Sequence, residues 1–450
     1  MITLKDASTL TMKNCLLAQN IAKNQGGCFL IQEYASIFIF NSTFVENQAN
    51  DASLIISYDI FESSIVFDSC FIFFSSSMTT LAEIFNGILI IKNSIISNNK
   101  NPTLFSSSAK IDILNSSFTN NSCIGIQLGC SLFMSKSQNN IEFSNFSEIH
   151  AFFTLPGVIY SEESNLSMIS SSLKDSSSLG RGSCLYSFKS HIIFKVVNLT
   201  KTMPSCLYIS ESNFELQNSL IGNNEKLEYA PFISESSNTT ILYSNFLNNH
   251  GSFYGGAIYS FGYLKLKLNS LFVNNSFFEN NSANSKGGAL FLLNQNLLLE
   301  NSIFINNKAD YGGAICFTNA IGSQFEYNIS SSIFKKNFAF VEGGAIKYEE
   351  DPFLNKNNTF EGNLAVYGND IASYPIRFGF QIFMKNNSNN NLTLAYDSEL
   401  NSKEYFIFDS IASGSNLDYK LEFQLYDELG QKINNINERL IIIRNLIKIF

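Results

Sequence analysis

A short motif recurs along this chain, and its period restricts the possible folds more than any other feature. The motif reads F-x-x-N and is followed, in its best copies, by G-G-A-[IL]. Thirteen steps between Leu17 and Phe360 average 26.4 residues. Self-similarity at a fixed period of roughly 20 to 50 residues is the signature of a solenoid or another stacked-repeat architecture. We therefore expect each copy to form one unit that buries its apolar face only against its neighbours.

The strongest copies define the residues that we expect to hold the repeat together. Each copy contributes an anchoring Phe and an Asn three residues later, and four copies add a pair of glycines. These residues are Phe246, Asn249, Gly255, Gly256, Phe278, Asn281, Gly287, Gly288, Phe304, Asn307, Gly312, Gly313, Phe334, Asn337, Gly343, Gly344, Phe360 and Asn363. The role predicted for all of them is structural.

Weaker copies extend the same period towards the N-terminus. The unit beginning at Leu17 still reaches a diglycine, whereas the unit at Phe44 has lost it. Further copies keep only the apolar anchor, usually behind an Asn-Ser or related step, and one degenerate copy is expected near Val197. These anchors are Phe71, Ile96, Phe118, Phe146, Leu173 and Leu220.

The repeat is built from strands. Residues 37–40, 110–114 and 264–268 alternate with period 2, and the turn residues Asn, Ser and Gly interrupt such runs. The 57 Asn and 62 Ser residues compete with helical backbone bonds. We predict an all-β chain forming a right-handed parallel β-helix, a solenoid of about 14 coils and on the order of 65 Å long.

Stacking gives each motif position a physical role. Equivalent positions of successive coils lie one strand spacing apart, so the anchoring Phe residues should form an interior column. The Asn should occupy a turn, where it tolerates a left-handed backbone, and its amide should bond to the next Asn along a ladder. The glycines should supply backbone angles that other residues reach only with strain.

The repeat decays after Phe360, and Pro375 closes the last period. We therefore predict a β-helix domain over residues 1–375 and a second, β-rich domain over residues 376–450. The second domain contains alternating runs, at residues 405–408 for example, and is expected to be a small β-sandwich or cap. An open coil end exposes unpaired strand groups and needs such a cover.

The net charge and the search for targeting signals reduce the number of possible functions and locations. The net charge is −9, with 29 basic and 38 acidic residues, and no basic run is present, which disfavours nucleic-acid binding, and we expect no nucleic-acid partner. The first residues lack the apolar region of a signal peptide, and no run approaches the roughly 20 apolar residues of a membrane span. Any membrane association is expected to come from segments outside this chain, and the protein is expected to be monomeric.

Residues suited to catalysis are scattered. Asp112, Asp175 and Asp310 are isolated, and the three histidines, His150, His191 and His250, lie at least 41 residues apart. The acidic cluster at residues 349–351 is typical of a solvated turn. We predict no catalytic residue, metal site or cofactor. A groove that collects two carboxylates with an Arg or Lys would instead favour a polysaccharide lyase or hydrolase.

The cysteines and the glycosylation sequons are the two sequence features that relate to the cellular compartment of the protein. None of the eight cysteines forms a C-x-x-C pair, and most are expected to be small buried residues. Cys184 and Cys206 are 22 residues apart, close to one short coil, and stacking would bring them within disulfide reach. Thirteen N-x-[ST] sequons, including Asn41 and Asn115, are candidate glycosylation sites if the chain enters the secretory route.

The F-x-x-N and G-G-A-[IL] units resemble the repeats of chlamydial polymorphic outer membrane proteins, and more closely those of long protist surface proteins. The resemblance is specific over residues 246–369. It implies a pectin-lyase-like β-helix on the extracellular face of the cell, in a structural or adhesin-like ectodomain that recognises a protein or glycan. A carbohydrate-binding or polysaccharide-processing β-helix is the alternative, because the same fold also carries such enzymes.

Overall fold

The computed structural model describes residues 1–58, 63–101, 103–124, 129–152, 157–224, 230–263, 269–319, 325–349, 354–385, 392–400, 419–427 and 429–433. Every regular element within these ranges is a β-strand. The predicted all-β fold is confirmed. The alternating run at residues 264–268 and the expected strand at residues 405–408 lie outside the described residues.

Three long parallel sheets run along the molecule, and each strand pairs with the equivalent strand of the next coil. Phe304, for example, is in register with Phe278 on one side and with Phe334 on the other. One coil visits each sheet once before the chain returns to the first. This topology is a parallel β-solenoid, as the repeat predicted.

Sheet 1 contains 15 strands. Its strands are Ile2–Leu4, Phe29–Ile31, Ile55–Tyr58, Ala82–Phe85, Leu104–Ser107, Leu132–Ser135, Ile159–Glu162, Leu185–Phe188, Leu207–Ser210, Phe232–Glu235, Ile258–Phe261, Leu290–Leu293, Ile315–Thr318, Ile346–Tyr348 and Ile371–Ala372.

Sheet 2 contains 14 strands. Its strands are Thr9–Lys13, Ser36–Phe40, Ser64–Asp68, Ile88–Lys92, Lys110–Leu114, Gln138–Glu142, Asn165–Ile169, His191–Lys195, Asn213–Gln217, Asn238–Leu242, Ser270–Asn274, Asn296–Glu300, Tyr327–Ser330 and Leu354–Lys356.

Sheet 3 contains the motif anchors. Its strands are Leu16–Ala18, Thr43–Val45, Phe71–Phe73, Ile95–Ser97, Ser117–Cys123, Asn145–Ala151, Ser172–Lys174, Asn198–Thr200, Leu220–Gly222, Asn245–Leu247, Phe277–Glu279, Ile303–Ile305, Ile333–Lys335 and Thr359–Glu361, with Ser177–Ser178 beside the sixth. Two small parallel sheets follow it at a corner and contain Ile21–Gln25, Gln48–Asp51, Ser76–Ser77, His250–Gly251, Ser282–Ala283, Lys308–Tyr311 and Phe338–Glu342.

The core is the space enclosed by the three sheets. Alternate residues of each strand point inwards and are almost fully buried, as Leu297 and Leu299 are on sheet 2. One hydrophobic cluster extends from Cys28 to Tyr348. Because each coil contributes only a few apolar side chains, burial depends on stacking against the coils above and below.

Two weak copies of the motif are displaced by one residue from their predicted anchors. Ile72, not Phe71, is in register with the buried Phe44, and Phe71 points outwards with 38% of its surface exposed. Likewise Ile221, not Leu220, is in register with Phe246. Each copy offers two neighbouring apolar residues, and a shift of one residue exchanges the faces of a strand.

The degenerate copy expected near Val197 places Leu199 at the anchor position, in register with Leu173 and Ile221. The residues of that coil therefore follow the same spacing as the stronger copies.

An antiparallel sheet follows the last coil and comprises Pro375–Lys385, Leu392–Leu400, Tyr419–Asp427 and Lys432–Ile433. The Tyr367 hydroxyl donates a hydrogen bond to the buried Asp427 carboxylate, and Gln431 donates one to the Ile371 carbonyl at 3.1 Å. Ile433 packs against Tyr367 and Ala372. This sheet therefore covers the end of the solenoid, while the assignment of residues 376–450 as a separate domain stays a prediction.

Candidate binding face on sheet 1

The anchoring Phe residues form an interior column. Ring centroids of successive anchors are 4.6 to 5.1 Å apart, and their planes are nearly parallel. The column contains Phe246, Phe278, Phe304, Phe334 and Phe360. The first four are fully buried, so they are not accessible to a ligand.

The Asn residues three positions later form a buried ladder. Asn281 Nδ2 donates to Asn307 Oδ1 at 3.0 Å, and Asn307 Nδ2 donates to Asn337 Oδ1 at 3.0 Å. Each Nδ2 also donates to the carbonyl of an anchor in the preceding coil, as Asn307 does to Phe278. The ladder starts before Asn249 and continues through Asn363 to Asp370. These amides are fully used within the protein.

The left-handed backbone lies one residue before the ladder, not on it. Asn248, Asn280 and Asn306 have φ values of 54°, 55° and 54°, whereas Asn249 and Asn281 are outside the left-handed region. The turn needs the positive φ at its exposed tip, and the following Asn must point inwards to reach its neighbours. Sequence reasoning assigned both tasks to one residue.

The two glycines of each pair have different tasks. The first of each pair has a positive φ, 65° at Gly255 for example. The second allows close stacking, because a Cβ at Gly288 would lie 2.0 Å from the carbonyl oxygen of Gly313. Gly287, Gly312 and Gly343 share the first task, and Gly256, Gly313 and Gly344 share the second.

A serine ladder marks the opposite turn of sheet 3 and accounts for much of the Ser content. The backbone N–H of Ser276 donates to Ser302 Oγ at 3.2 Å, and that of Ser302 donates to Ser332 Oγ at 3.1 Å. Each hydroxyl donates in turn to a carbonyl two residues earlier. The repeat residues and these serines therefore contact their counterparts in neighbouring coils, inside the solenoid or at its turns.

The outer surface of sheet 1 carries a continuous row of aromatic rings. We define the outer aromatic row as Phe105, Phe133, Tyr160, Tyr186 and Tyr208, the second residues of five successive strands. Neighbouring ring centroids are 4.9, 5.0, 5.5 and 5.0 Å apart, with planes within 18° of parallel. The first four rings are half-buried. Their exposed edges and hydroxyls form a stripe along the axis.

A charged and hydrogen-bonding cluster lies at the end of this row. The Arg181 guanidinium carbon is 5.5 Å from the centre of the Tyr208 ring. Glu235 accepts hydrogen bonds from the hydroxyls of Tyr208 and Tyr263, the second at 2.6 Å. This end of the row therefore combines aromatic, cationic and acidic groups, a mixture that suits recognition of a polar partner.

The tyrosines of this face are hydrogen-bond donors rather than nucleophiles. Burial, with a further contribution from the Glu162 carboxylate, raises the pKa of Tyr160 to about 12. Burial, together with nearby Tyr254, raises the pKa of Tyr259 to about 12. Burial and the hydrogen bond to Glu235 also raise the pKa of Tyr208. All three phenols are neutral at physiological pH.

Two ion pairs surround Cys316, which lies farther along the same outer position of sheet 1. Lys286 Nζ is 3.4 Å from the Glu349 carboxylate, and Lys347 Nζ is 2.7 Å from the Glu342 carboxylate. Burial raises the pKa of the Cys316 thiol to about 12, which disfavours a nucleophilic thiolate. Within the described part of the chain, this cluster brings two carboxylates and two lysines near one another, the combination that the enzyme alternative requires.

The remaining candidate residues stay apart. His150 Nδ1 lies 2.9 Å from Ser177 Oγ, and His250 Nδ1 lies 2.7 Å from Ser282 Oγ, in separate coils. Asp112 pairs with Lys110 at 2.8 Å. No three His, Cys, Asp or Glu side chains among the described residues converge as a metal site. Glu350 and Asp351 of the acidic cluster lie outside those residues.

The disulfide in the structure is not the one that the sequence suggested. Cys123 and Cys130 form a disulfide within one coil, whereas Cys184 and Cys206 are not bonded. The stacking argument considered only neighbours in successive coils, so it could not find a pair within a single coil. Cys184 and Cys206 are nevertheless stacked as expected, with their sulfurs 3.0 Å apart.

Sequence reasoning missed the outer aromatic row because the motif contains only residues that point inwards or form turns. A signal for the row was present. An aromatic residue precedes the true sheet 3 anchor by 13 positions in five successive coils, as Phe105 precedes Phe118 and Tyr208 precedes Ile221. Aligning the chain on its anchors would have revealed this row.

Comparison with known proteins supports the repeat assignment. Residues 269–292 and 301–318 match the Chlamydia polymorphic membrane protein repeat. No curated protein matches the chain. Within the described residues, no helix has the length and apolarity needed to cross a membrane. The chain is thus a parallel β-solenoid in which residues 269–292 and 301–318 are similar to this repeat.

One solved structure with a similar outline is the catalytic domain of a GH87 α-1,3-glucanase in complex with nigerose. The sequence identity is 9% and the TM-score is 0.30. The match covers 82% of this chain and 64% of the glucanase domain. A likeness at this level says nothing about activity.

Proposed function

We propose that this chain is part of a non-enzymatic cell-surface protein, in which the solenoid is a stalk and sheet 1 is an adhesive face. The observation that carries the proposal is the outer aromatic row, five rings stacked over five successive coils on one face. The matched repeat is named for a membrane protein family, which supports a location at the cell surface.

The chemistry of the row suits a protein or glycan ligand. Its rings stack on one another, so they present edges and hydroxyls to solvent rather than open faces. The neutral phenols of Tyr160 and Tyr186 are available as hydrogen-bond donors to a ligand, and Arg181 and Glu235 add one charge of each sign at the end of the row. No cofactor is needed for such binding.

Binding by the purified chain tests the adhesive role. Beads coated with the full chain are incubated with intact cells and, separately, with an array of immobilised glycans. Tyr160→Ser should lower binding at least about tenfold, the equivalent of about 1.4 kcal/mol. The matched control is Phe272→Ser, which removes a half-buried, outward-facing ring from sheet 2. Equal binding by both variants and the unmodified chain would refute a role for sheet 1.

Surface location has its own test. An antibody against the chain should label intact, non-permeabilised cells of the source organism. Labelling only after permeabilisation would contradict the proposed location while leaving the binding measurements unaffected.

A polysaccharide-processing enzyme is the second candidate, and the two Lys–Glu pairs around Cys316 are the observation that favours it. In both pairs the carboxylate is already neutralised by a lysine, at 3.4 Å in Lys286–Glu349 and 2.7 Å in Lys347–Glu342. We expect no release of reducing ends from a panel of polysaccharides. Release that is lost in Glu342→Gln or Glu349→Gln would replace the non-enzymatic proposal.

A further inference from the structure

We propose that Cys184 and Cys206 are joined by a disulfide when the chain folds in an oxidising environment. The two residues immediately precede successive strands of sheet 1, Leu185–Phe188 and Leu207–Ser210, which pair in parallel register. The Cys184 N–H donates to the Cys206 carbonyl at 2.9 Å. The two backbones are thus one strand spacing apart, within the range of Cα separations that disulfides span.

The side chains point at each other inside the solenoid. The two sulfurs are 3.0 Å apart, and both residues are fully buried. A bond between them therefore requires a displacement of only about 1 Å, given an S–S bond of about 2.04 Å. Cys316, another buried free cysteine, is instead in register with Phe291 and Lys347 of the adjacent coils.

Bond formation needs an external oxidant, which we take to be a small-molecule or protein disulfide. The two thiols lose two protons and two electrons as the S–S bond forms. The oxidant's disulfide bond breaks, and it is reduced to two thiols. The product is one intramolecular bond between two cysteines that are 22 positions apart in adjacent coils.

Burial decides when this reaction can occur. Thiolate attack is the chemical step, and burial raises the pKa of the Cys184 thiol well above its ordinary value. Both sulfurs are also shielded from any oxidant in the folded coils. We therefore infer that the bond forms before the coils close, during folding, and not in the folded protein.

The bond would hold together the two coils that carry the charged end of the outer aromatic row. Arg181 precedes Cys184 by three residues, Tyr208 follows Cys206 by two, and their side chains are in contact across the coils. The inference does not depend on the proposed adhesive function, because it concerns only how these coils are held.

Counting free thiols tests the proposal. The full chain is unfolded in guanidinium with reductant and refolded with a glutathione redox couple. It is then denatured, alkylated with a maleimide and weighed intact. The structure has six free cysteines, so four adducts are expected, together with a proteolytic fragment linking residues 184 and 206. Six adducts without that fragment, in protein with a β-type circular dichroism spectrum, would overturn the proposal.

Two variants and one control make the test specific. Cys184→Ala should give five adducts and no linked fragment, because Cys206 then has no partner. Cys316→Ala removes an isolated buried cysteine and should give three adducts with the link intact. Oxidant added to chain already folded with these two thiols reduced should leave both thiols free. A link formed under that last condition would contradict the inference that the bond forms during folding.

Discussion

Removing one rung of the asparagine ladder measures how far the solenoid depends on it. Asn307 is fully buried and its side chain makes four hydrogen bonds. It donates to the Phe278 carbonyl and to Asn337 Oδ1, and it accepts from the backbone N–H and the Nδ2 of Asn281, all at 3.0 Å. Asn307→Ala removes all four bonds at once.

The expected cost follows from the groups left behind. The backbone N–H of Asn281 loses its acceptor inside the core, which costs about 1–3 kcal/mol. The other three bonds contribute about 0.5–1.5 kcal/mol each, because Asn281 Nδ2 and Asn337 Oδ1 keep a second partner. We therefore expect Asn307→Ala to lower the free energy of unfolding by about 2.5 to 7.5 kcal/mol.

Urea unfolding followed by circular dichroism gives the comparison. Because a repeat array need not unfold in one step, both the midpoint and the slope of the transition are recorded. The control is Asn284→Ala, which removes an exposed Asn one coil earlier and should change the stability by less than about 0.5 kcal/mol. Equal effects of the two substitutions would refute the ladder as a source of stability.

Three further substitutions or titrations test single positions. Gly288→Ala places a Cβ 2.0 Å from the backbone oxygen of Gly313, so we expect little soluble protein on expression. Phe304→Ala should cost about 3–5 kcal/mol in urea unfolding, whereas Phe340→Ala, with half its surface exposed, should cost less than about 1 kcal/mol. The Tyr160 phenol stabilises the fold below pH about 10, and this contribution is lost as the pH rises through about 12. An ultraviolet difference titration that shows the Tyr160-dependent signal near pH 10 would contradict its burial.

The stacked interior was the predictable part of this molecule. The anchors and the ladder residues from Phe246 to Asn363 could be placed from the sequence. Stacking and the amide ladder require the same side chain in every coil, so Phe and Asn recur at fixed positions. The diglycines are of the same kind, since each either has a positive φ or contacts the next backbone.

The outer face was not predictable by the same reasoning. An outward position tolerates many side chains, so Phe105, Tyr160 and Ile233 can occupy equivalent places without a shared motif. In the weak copies, two neighbouring residues such as Leu220 and Ile221 are both apolar, so the sequence does not show which of them points into the core. The disulfide between Cys123 and Cys130 joins two cysteines seven positions apart, and no repeat motif specifies such a pair.

Stacking of one repeat per coil underlies both ladders and the outer aromatic row, and a distance along the axis tests it directly. Asn86 and Glu211 occupy the exposed turn after sheet 1, five coils apart. Spin labels at Asn86→Cys and Glu211→Cys, in a chain lacking Cys15, allow that distance to be measured. Stacked coils predict roughly 24 Å between the two backbones, although 125 residues separate them. A broad distribution, or a distance on the order of twice that value, would contradict the stacked arrangement.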